Sequence, residues 1–350
     1  MKYIIYSLII NIIFALTSCQ RRNIEDYADD LGDYARINID YDWNNCDILE
    51  LDEATLLIYK EDNNKKALYK THIFEPGKKV NMNLPLGNFS FIIINDKPGD
   101  FRNCRITNIN DFYNVKFYLT ESNNSNPILD SYNIYSFPED LAIGIFQDFE
   151  VTEEMVSKTE ENIIAGISDQ CVGAVNITSY RVTRDVEFGF MVENGLGISK
   201  VEVIISEGYN EMLLHNSKTT NLTGAKYINL LNARNSDNED NIYISGSYNS
   251  FGSSKINGLF PDDDAKNNNI SMLVFITMKD KDKTVITTEF DITELYNNEG
   301  LEKHDISVNI NDKITLPVIE EEVEDNNNSG MLPDVDEWGD DEIIDVSINK

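Results

Sequence analysis

The stretch YARINIDYDW at residues 34–43 decides the fold class, because apolar and polar residues alternate along it without a break. One face carries the apolar residues Ile37, Ile39, Tyr41 and Trp43, and the other carries Arg36, Asn38, Asp40 and Asp42. A period of two residues is typical of a strand with one buried face. Further short strands are predicted at regular spacing, at residues 54–59, 67–74, 80–86, 89–94, 113–120 and 140–151.

The second half of the chain repeats this organisation. Strands are predicted at residues 173–182, 186–192, 201–206, 242–245, 272–278 and 285–290, with final strands near 306–310 and 314–316. The sequence KDKD at 279–282 is expected to close a hairpin. Residues 218–240 are polar and rich in asparagine, so they are predicted to form an excursion without a strand, and residues 291–296 one helical turn.

Many short strands with frequent turns, and no long segment with a 3.6-residue apolar period, predict an all-β protein. Two tandem antiparallel β-sandwich domains fit this number of strands. The glutamate-rich segment after residue 151 is the expected boundary. The domains are therefore predicted at 34–151 and 163–317, joined by a linker at 152–162.

The N-terminus has the features of a lipoprotein signal. Lys2 precedes an apolar run from Ile4 to Leu16, and the sequence LTSC ends at Cys19. This run is too short to span a bilayer, which needs about 20 apolar residues. We expect a signal peptide at 1–18, acylation at Cys19 and a tether at 19–33. The alternative is an ordinary secretory signal that ends in cysteine.

The formal net charge of −32 bears on the partners. Binding to nucleic acid or to an anionic membrane surface requires the opposite sign, so neither is expected. The charge affects solubility rather than the fold. An apolar fraction of 41% is enough for sizeable cores.

Three cysteines stay after lipidation of Cys19, namely Cys46, Cys104 and Cys171. The odd number excludes a complete disulfide framework, and the sequence leaves open whether Cys46 and Cys104 are bridged or all three thiols are free. The sequence contains no Cys-x-x-Cys, and its histidines are scattered. Neither a metal site nor a cofactor is expected.

The C-terminal segment at 318–350 is acidic, with 12 acidic residues and no basic one between Val318 and Asp345. Such a block does not bury enough apolar area to fold alone. It nevertheless ends in a strand-like set of apolar residues, Val335, Trp338, Ile344, Val346 and Ile348. We expect these to dock on a sheet edge, either of this molecule or of another subunit.

The chain resembles the Bacteroidales fimbrillin and fimbrial-anchor lipoproteins, in a branch without an assigned molecular activity. The residues that carry the resemblance are the lipobox at Cys19 and the segments 37–43, 54–59, 84–89, 287–293, 314–317 and 333–338. The resemblance implies two transthyretin-like, Greek-key β-sandwiches and a lipid-anchored protein of the outer membrane at the cell surface.

The resemblance further implies that the protein is an anchor, tip or accessory subunit of surface fimbriae and that its partners are fimbrial subunits. Polymerising members of that family exchange strands after proteolysis at an arginine. Arg21, Arg22 and Arg36 do not clearly match such a site. This favours an uncleaved anchor or accessory subunit that keeps its lipid.

The sequence contains no pattern that indicates a catalytic site. There is no Gly-x-Ser-x-Gly elbow, and 61 acidic residues make any carboxylate pair uninformative. Asp262–Asp264 could bind calcium but are expected to form a solvated turn. The leading hypothesis is a non-catalytic adhesion or assembly subunit. The alternative is a surface glycan-binding lipoprotein, for which Tyr248 and Phe251 are candidate stacking residues.

Overall fold

The protein was analysed as a computed structural model, which describes residues 33–46, 52–122, 132–220, 223–230, 241–251, 269–298 and 305–318. The first half contains nine strands and one helix: β1 (Tyr34–Asn45), β2 (Ala54–Asp62), β3 (Lys65–Phe74), β4 (Val80–Pro85), β5 (Gly87–Ile94), β6 (Cys104–Thr107), β7 (Lys116–Leu119), β8 (Ala142–Val151), α1 (Glu153–Ile164) and β9 (Gly173–Arg181).

The second half follows directly and contains β10 (Thr183–Glu193), β11 (Ile198–Tyr209), β12 (Glu211–Leu213), β13 (Thr223–Leu230), β14 (Asn241–Phe251), β15 (Ser271–Met278), β16 (Val285–Asp291), α2 (Thr293–Asn298) and β17 (Asp305–Thr315). The predicted all-β class is confirmed. Most predicted strands are present, with bounds that differ by a few residues.

One seven-stranded sheet organises the first half, in the order β3-β2-β5-β8-β9-β1-β4. Its inward-facing residues form a single cluster that draws on every strand of the sheet, with Ile37, Leu56 and Phe91 among the fully buried members. The sheet therefore curls around its own core. Asn63 and Asn64 both have positive φ at the β2–β3 hairpin, which is the conformation that such turns require.

A second cluster covers the outer face of β2 and β5. It includes Leu57 and Tyr59 from β2 and is closed by a small sheet in the order β12-β7-β6. We call β6, β7 and β12 the junction layer, because β6 and β7 belong to the first half and β12 to the second. The central strands of the first half are consequently buried on both faces.

The second half is a sandwich of a three-stranded sheet, β14-β10-β17, and a four-stranded sheet, β13-β11-β15-β16. Its core contains the alternating residues of β10 that the sequence identified, Val186, Phe188, Phe190 and Val192. The hairpin predicted across residues 279–282 is confirmed by the pairing of β15 with β16.

Two strand pairs differ from the predicted antiparallel arrangement, because β1 runs parallel to β9 and β10 runs parallel to β17. Parallel neighbours need a long crossover connection, and more than a hundred residues separate the members of each pair. Local sequence patterns specify a strand and its buried face. They do not specify the direction of such distant partners.

The predicted linker at 152–162 is instead mostly helix α1. Thr152 caps the helix by accepting a hydrogen bond from the Met155 backbone N–H at 3.4 Å, and Glu153 and Glu154 lie in the first turn, where the helix dipole favours acidic residues. Strand β9 then returns to pair with β1 and β8 of the first sheet. The seven-stranded sheet therefore includes β9, and the chain passes into the second-half sandwich at Val182, not at the boundary predicted after residue 151.

The predicted excursion at residues 218–240 was wrong in part, since residues 223–230 form β13 and pair with β11. The short strands β6 and β12 were not predicted. The last two predicted strands are one continuous strand, β17. Strands β6 and β12 are too short to show a period, and the polar residues 311–313 separate the two apolar stretches of β17.

Candidate functional site

The junction layer is the place where the two halves of the chain meet. Strand β12 pairs antiparallel with β7, so that Glu211 lies opposite Tyr118 and Leu213 opposite Lys116. The flanking residues extend the ladder, because the Leu119 N–H donates to the Asn210 carbonyl at 2.9 Å. Met212 is fully buried in the cluster beneath. The second half therefore supplies part of the core of the first.

Ion pairs hold the same region. Lys116 Nζ lies 2.6 Å from Glu211 Oε1, which links β7 to β12. Arg181, at the end of β9, contacts Asp140 at 2.6 Å and Asp185 at 2.8 Å. The Arg181 side chain is buried whereas both carboxylates are partly exposed. Charged contacts therefore lie both at the pairing of β7 with β12 and beside Val182, where the chain passes from the first half to the second.

A buried polar cluster lies beside the junction layer. Lys226 of β13 donates a hydrogen bond to Asn210 Oδ1, and its ammonium nitrogen lies 5.2 Å from the centre of the Tyr135 ring. Burial lowers the pKa of Lys226 to about 7. Burial also raises the pKa of the nearby Cys104 thiol well above its ordinary value, and the charge of Glu139 adds to this.

An aromatic patch at the surface borders the other side of β12. Tyr113 is 47% exposed, and its ring lies 5.7 Å from that of His215. Lys66 Nζ lies 5.0 Å from the centre of the Phe112 ring and 5.6 Å from that of Tyr113, and it is paired with Asp148 at 2.7 Å. An exposed ring surrounded by charged and polar groups can stack on a sugar and bind its hydroxyls.

The edges of the seven-stranded sheet differ in accessibility. The first part of β3 is covered, since the Leu68 N–H donates to the Asn110 carbonyl and the Phe112 N–H donates to the Lys66 carbonyl. Strand β4, at the opposite edge, pairs only with β1 within the described part of the chain. Its unpaired backbone groups are a candidate docking edge.

The prediction that Tyr248 and Phe251 are exposed stacking residues is wrong. Both are buried: Tyr248 packs between Phe137 and Phe188, and Phe251 belongs to the cluster under the junction layer. They lie on opposite faces of β14, and both faces are covered there: Tyr248 packs in the sandwich core of the second half, and Phe251 packs in the cluster under the junction layer. Tyr113 is exposed instead, and nothing in the sequence distinguishes it from its buried neighbour Phe112.

The structure also describes other residues that the sequence analysis named. None of Cys46, Cys104 and Cys171 forms a disulfide, so Cys46 and Cys104 are not bridged. Arg36 lies within β1, where its side chain contacts Asp169 at 3.5 Å and its backbone N–H donates to Thr159 of α1. Over the ranges that the structure describes, no group of three or more histidine, cysteine or acidic side chains is arranged to hold a metal.

The remaining candidates lie outside the described residues. They are Cys19, Asp262–Asp264 and the tail residues Val335, Trp338, Ile344, Val346 and Ile348. In the part of the chain with described structure, no helix has the length and apolar character needed to cross a membrane.

Comparison with solved structures places this architecture among known folds. A candidate adhesin from Bacteroides ovatus matches with a TM-score of 0.58 at 13% identity, over 87% of this chain and 98% of that chain. A second candidate adhesin from Bacteroides ovatus matches with a TM-score of 0.50 at 11% identity, over 81% and 88%. The fimbrial anchor protein Mfa2 of Porphyromonas gingivalis is more distant, with a TM-score of 0.46 at 10% identity over 79% and 90%.

Sequence comparison finds a similarity to one family in the first half of the chain. No curated protein matches the chain. Residues 18–184 match the family model described as Domain of unknown function (DUF5119), and this match ends close to Val182, where the sheets divide. Residues 18–184 are thus similar to the DUF5119 family, and the described fold is similar to that of a Bacteroides ovatus candidate adhesin.

Proposed function

We propose that the protein is a lipid-anchored, non-catalytic subunit of the outer membrane that serves surface fimbriae as an anchor, tip or accessory component. The observation that carries this proposal is the two-part β architecture shared with a Bacteroides ovatus candidate adhesin over 98% of that chain. The edge of β4, which has no second strand partner among the described residues, supplies backbone groups for strand docking. The lipobox at Cys19 supplies the anchor.

The anchor is tested by Cys19→Ala in the native host. We expect the variant to leave the membrane fraction, because the acyl chains contribute the membrane affinity. Cys171→Ala is the matched control, since it removes a partly exposed thiol and leaves the lipobox intact. Retention of Cys19→Ala in the membrane fraction would contradict lipid anchoring.

The assembly role is tested by gentle affinity purification of the tagged chain from its own envelope. We expect fimbrial subunits to co-purify, and deletion of residues 331–350 to abolish this while the thermal unfolding midpoint of the purified protein is unchanged. A lower midpoint would show that the tail strand docks within the molecule. Purification of the intact chain without any fimbrial subunit would contradict the proposal.

Glycan binding is a second candidate function, favoured by the patch around Tyr113. Stacking on a sugar ring requires the exposed aromatic face, so Tyr113→Ala should lose binding on a glycan array if this function is correct. Tyr243→Ala is the control, because Tyr243 is 45% exposed but lies on β14, in a different sheet. Equal array signals for both variants and the parent chain would count against the Tyr113 patch.

A further inference from the structure

The contact between Lys226 and Asn210 joins two side chains that are both withdrawn from solvent. Asn210 is fully buried and Lys226 is 3% exposed. The Lys226 ammonium nitrogen is hydrogen-bonded to Asn210 Oδ1, one bond away from the amide carbon. Among the described residues, no carboxylate forms an ion pair with Lys226. A charged lysine without a counter-ion is costly in such surroundings.

Desolvation gives this lysine an unusual chemical character. Because burial lowers its pKa to about 7, much of the amine is neutral near neutral pH and carries a free lone pair. A desolvated neutral lysine is a nucleophile in many enzymes.

The amide group of Asn210 is equally unusual. Its Nδ2 is buried and has no hydrogen-bond partner among the described residues, although an amide nitrogen normally donates two hydrogen bonds. Space for this nitrogen exists because residue 224 is glycine: a Cβ there would lie 2.4 Å from Nδ2 and 2.4 Å from the Tyr135 ring. The backbone therefore allows the lysine and the amide to approach closely, while nothing holds the amide nitrogen in place.

We propose that Lys226 and Asn210 form an intramolecular isopeptide bond. Neutral Lys226 Nζ attacks Cγ of Asn210, a new carbon–nitrogen amide bond forms, and the bond between Cγ and Nδ2 breaks. Nδ2 leaves as ammonia and takes one proton from Nζ. Nothing is oxidised or reduced, and no co-reactant is needed. The product removes both the buried amine and the unsatisfied amide nitrogen.

The bond would close a loop that contains β12. Residues 210 and 226 flank this strand, and β12 is the part of the second half that pairs with β7 of the first. Lys226 also lies on β13, which is hydrogen-bonded to β11. A covalent link between the two positions would fix the chain that passes through the junction layer. It limits how far β12 separates from β13 when the fold is stressed.

The test is peptide mapping of the full chain by mass spectrometry after denaturation and proteolysis. We expect a branched peptide that joins the segments containing Asn210 and Lys226, lighter than the two separate peptides by one ammonia molecule. Lys226→Met and Asn210→Ala should each abolish the branched peptide. Lys116→Met is the matched control, since it breaks the neighbouring ion pair with Glu211 and should leave the branched peptide intact.

The wild-type chain decides the question by itself, so misfolding of a variant does not obscure the result. Recovery of both peptides unlinked from the wild type, in high yield, would overturn the proposal. A branched peptide that persists in Lys226→Met would also overturn it, because another lysine would then be the donor.

Discussion

Strands β2 and β10 show two ways in which one chain buries a strand. In β2, Leu56 and Ile58 face the core inside the seven-stranded sheet, whereas Leu57 and Tyr59 face the cluster under the junction layer. In β10, Phe188 and Phe190 are buried and Glu187 is exposed. A continuous apolar run therefore indicates a strand that is covered by other layers on both faces. An alternating run indicates a strand that is covered on one face only.

The largest expected effect tests this difference directly. Leu56→Ala and Leu57→Ala should each lower the free energy of unfolding by about 2–5 kcal/mol, because each leaves a cavity in a different core. On β10, Phe188→Ala should cost about 3–5 kcal/mol and Glu187→Ala less than about 0.5 kcal/mol. Chemical denaturation of the four variants measures these values. A small effect of Leu57→Ala would mean that the junction layer does not bury this face.

A smaller loss of stability is expected from Arg181, which lies where the chain passes from the first half to the second. Arg181→Met should lower the free energy of unfolding by about 1–3 kcal/mol, because Asp140 and Asp185 lose their shared partner. Solvent screening of the two partly exposed carboxylates keeps the loss below that of a fully buried pair. Arg181→Lys keeps the charge and should lose less in the same measurement. Equal losses for both substitutions would show that the guanidinium geometry, not the charge, is what matters.

The helix α1, found where a linker was predicted, belongs only to the first half. Thr152→Ala should lower the free energy of unfolding by about 1 kcal/mol, because the cap hydrogen bond to the Met155 N–H is lost. Thr152→Ser retains the hydroxyl and serves as the control. A neutral Thr152→Ala in thermal denaturation would show that the contacts of Val156 and Thr159 hold the helix without its cap.

The smallest expected effect is a pH dependence near the junction layer. Burial, with the charges of Lys218 and Lys66, lowers the pKa of His215 below 6.5. The unfolded chain therefore takes up a proton at a higher pH than the folded one, so stability falls as the pH drops below about 6.5. His215→Gln should flatten this slope in denaturation curves between pH 7 and 5. An unchanged slope would assign it to other groups, such as His72.

Most strands were predictable, because each apolar period is local. The alternation at residues 34–43 and the continuous runs at 54–59 and 89–94 predicted β1, β2 and β5. The third layer, which covers the outer faces of β2 and β5, was not predicted, although its strand β7 lies within the strand predicted at residues 113–120. It is built from the four-residue strands β6 and β7 and the three-residue β12, which are too short to show a period.

The candidate sites were less predictable than the strands. Lys226 lies within residues 218–240, where no strand was predicted, and Asn210 directly precedes β12, which was also not predicted. Their contact depends on the pairing of β11 with β13 and on the space at Gly224. Tyr113 and Phe112 are adjacent aromatic residues, and only the tertiary fold decides which one is exposed.

The two parallel strand pairs have a mechanical consequence. A pull on the two ends of the described fold would enter at the start of β1, near Asp33, and leave at the end of β17, near Val318. The load passes from β1 to its parallel neighbour β9, on through Val182 into β10, and then to its parallel neighbour β17. At both transfers the force acts on opposite ends of parallel strands, so the evenly spaced hydrogen bonds between them are sheared together rather than opened one at a time. The molecule is thus arranged to resist extension along its own chain.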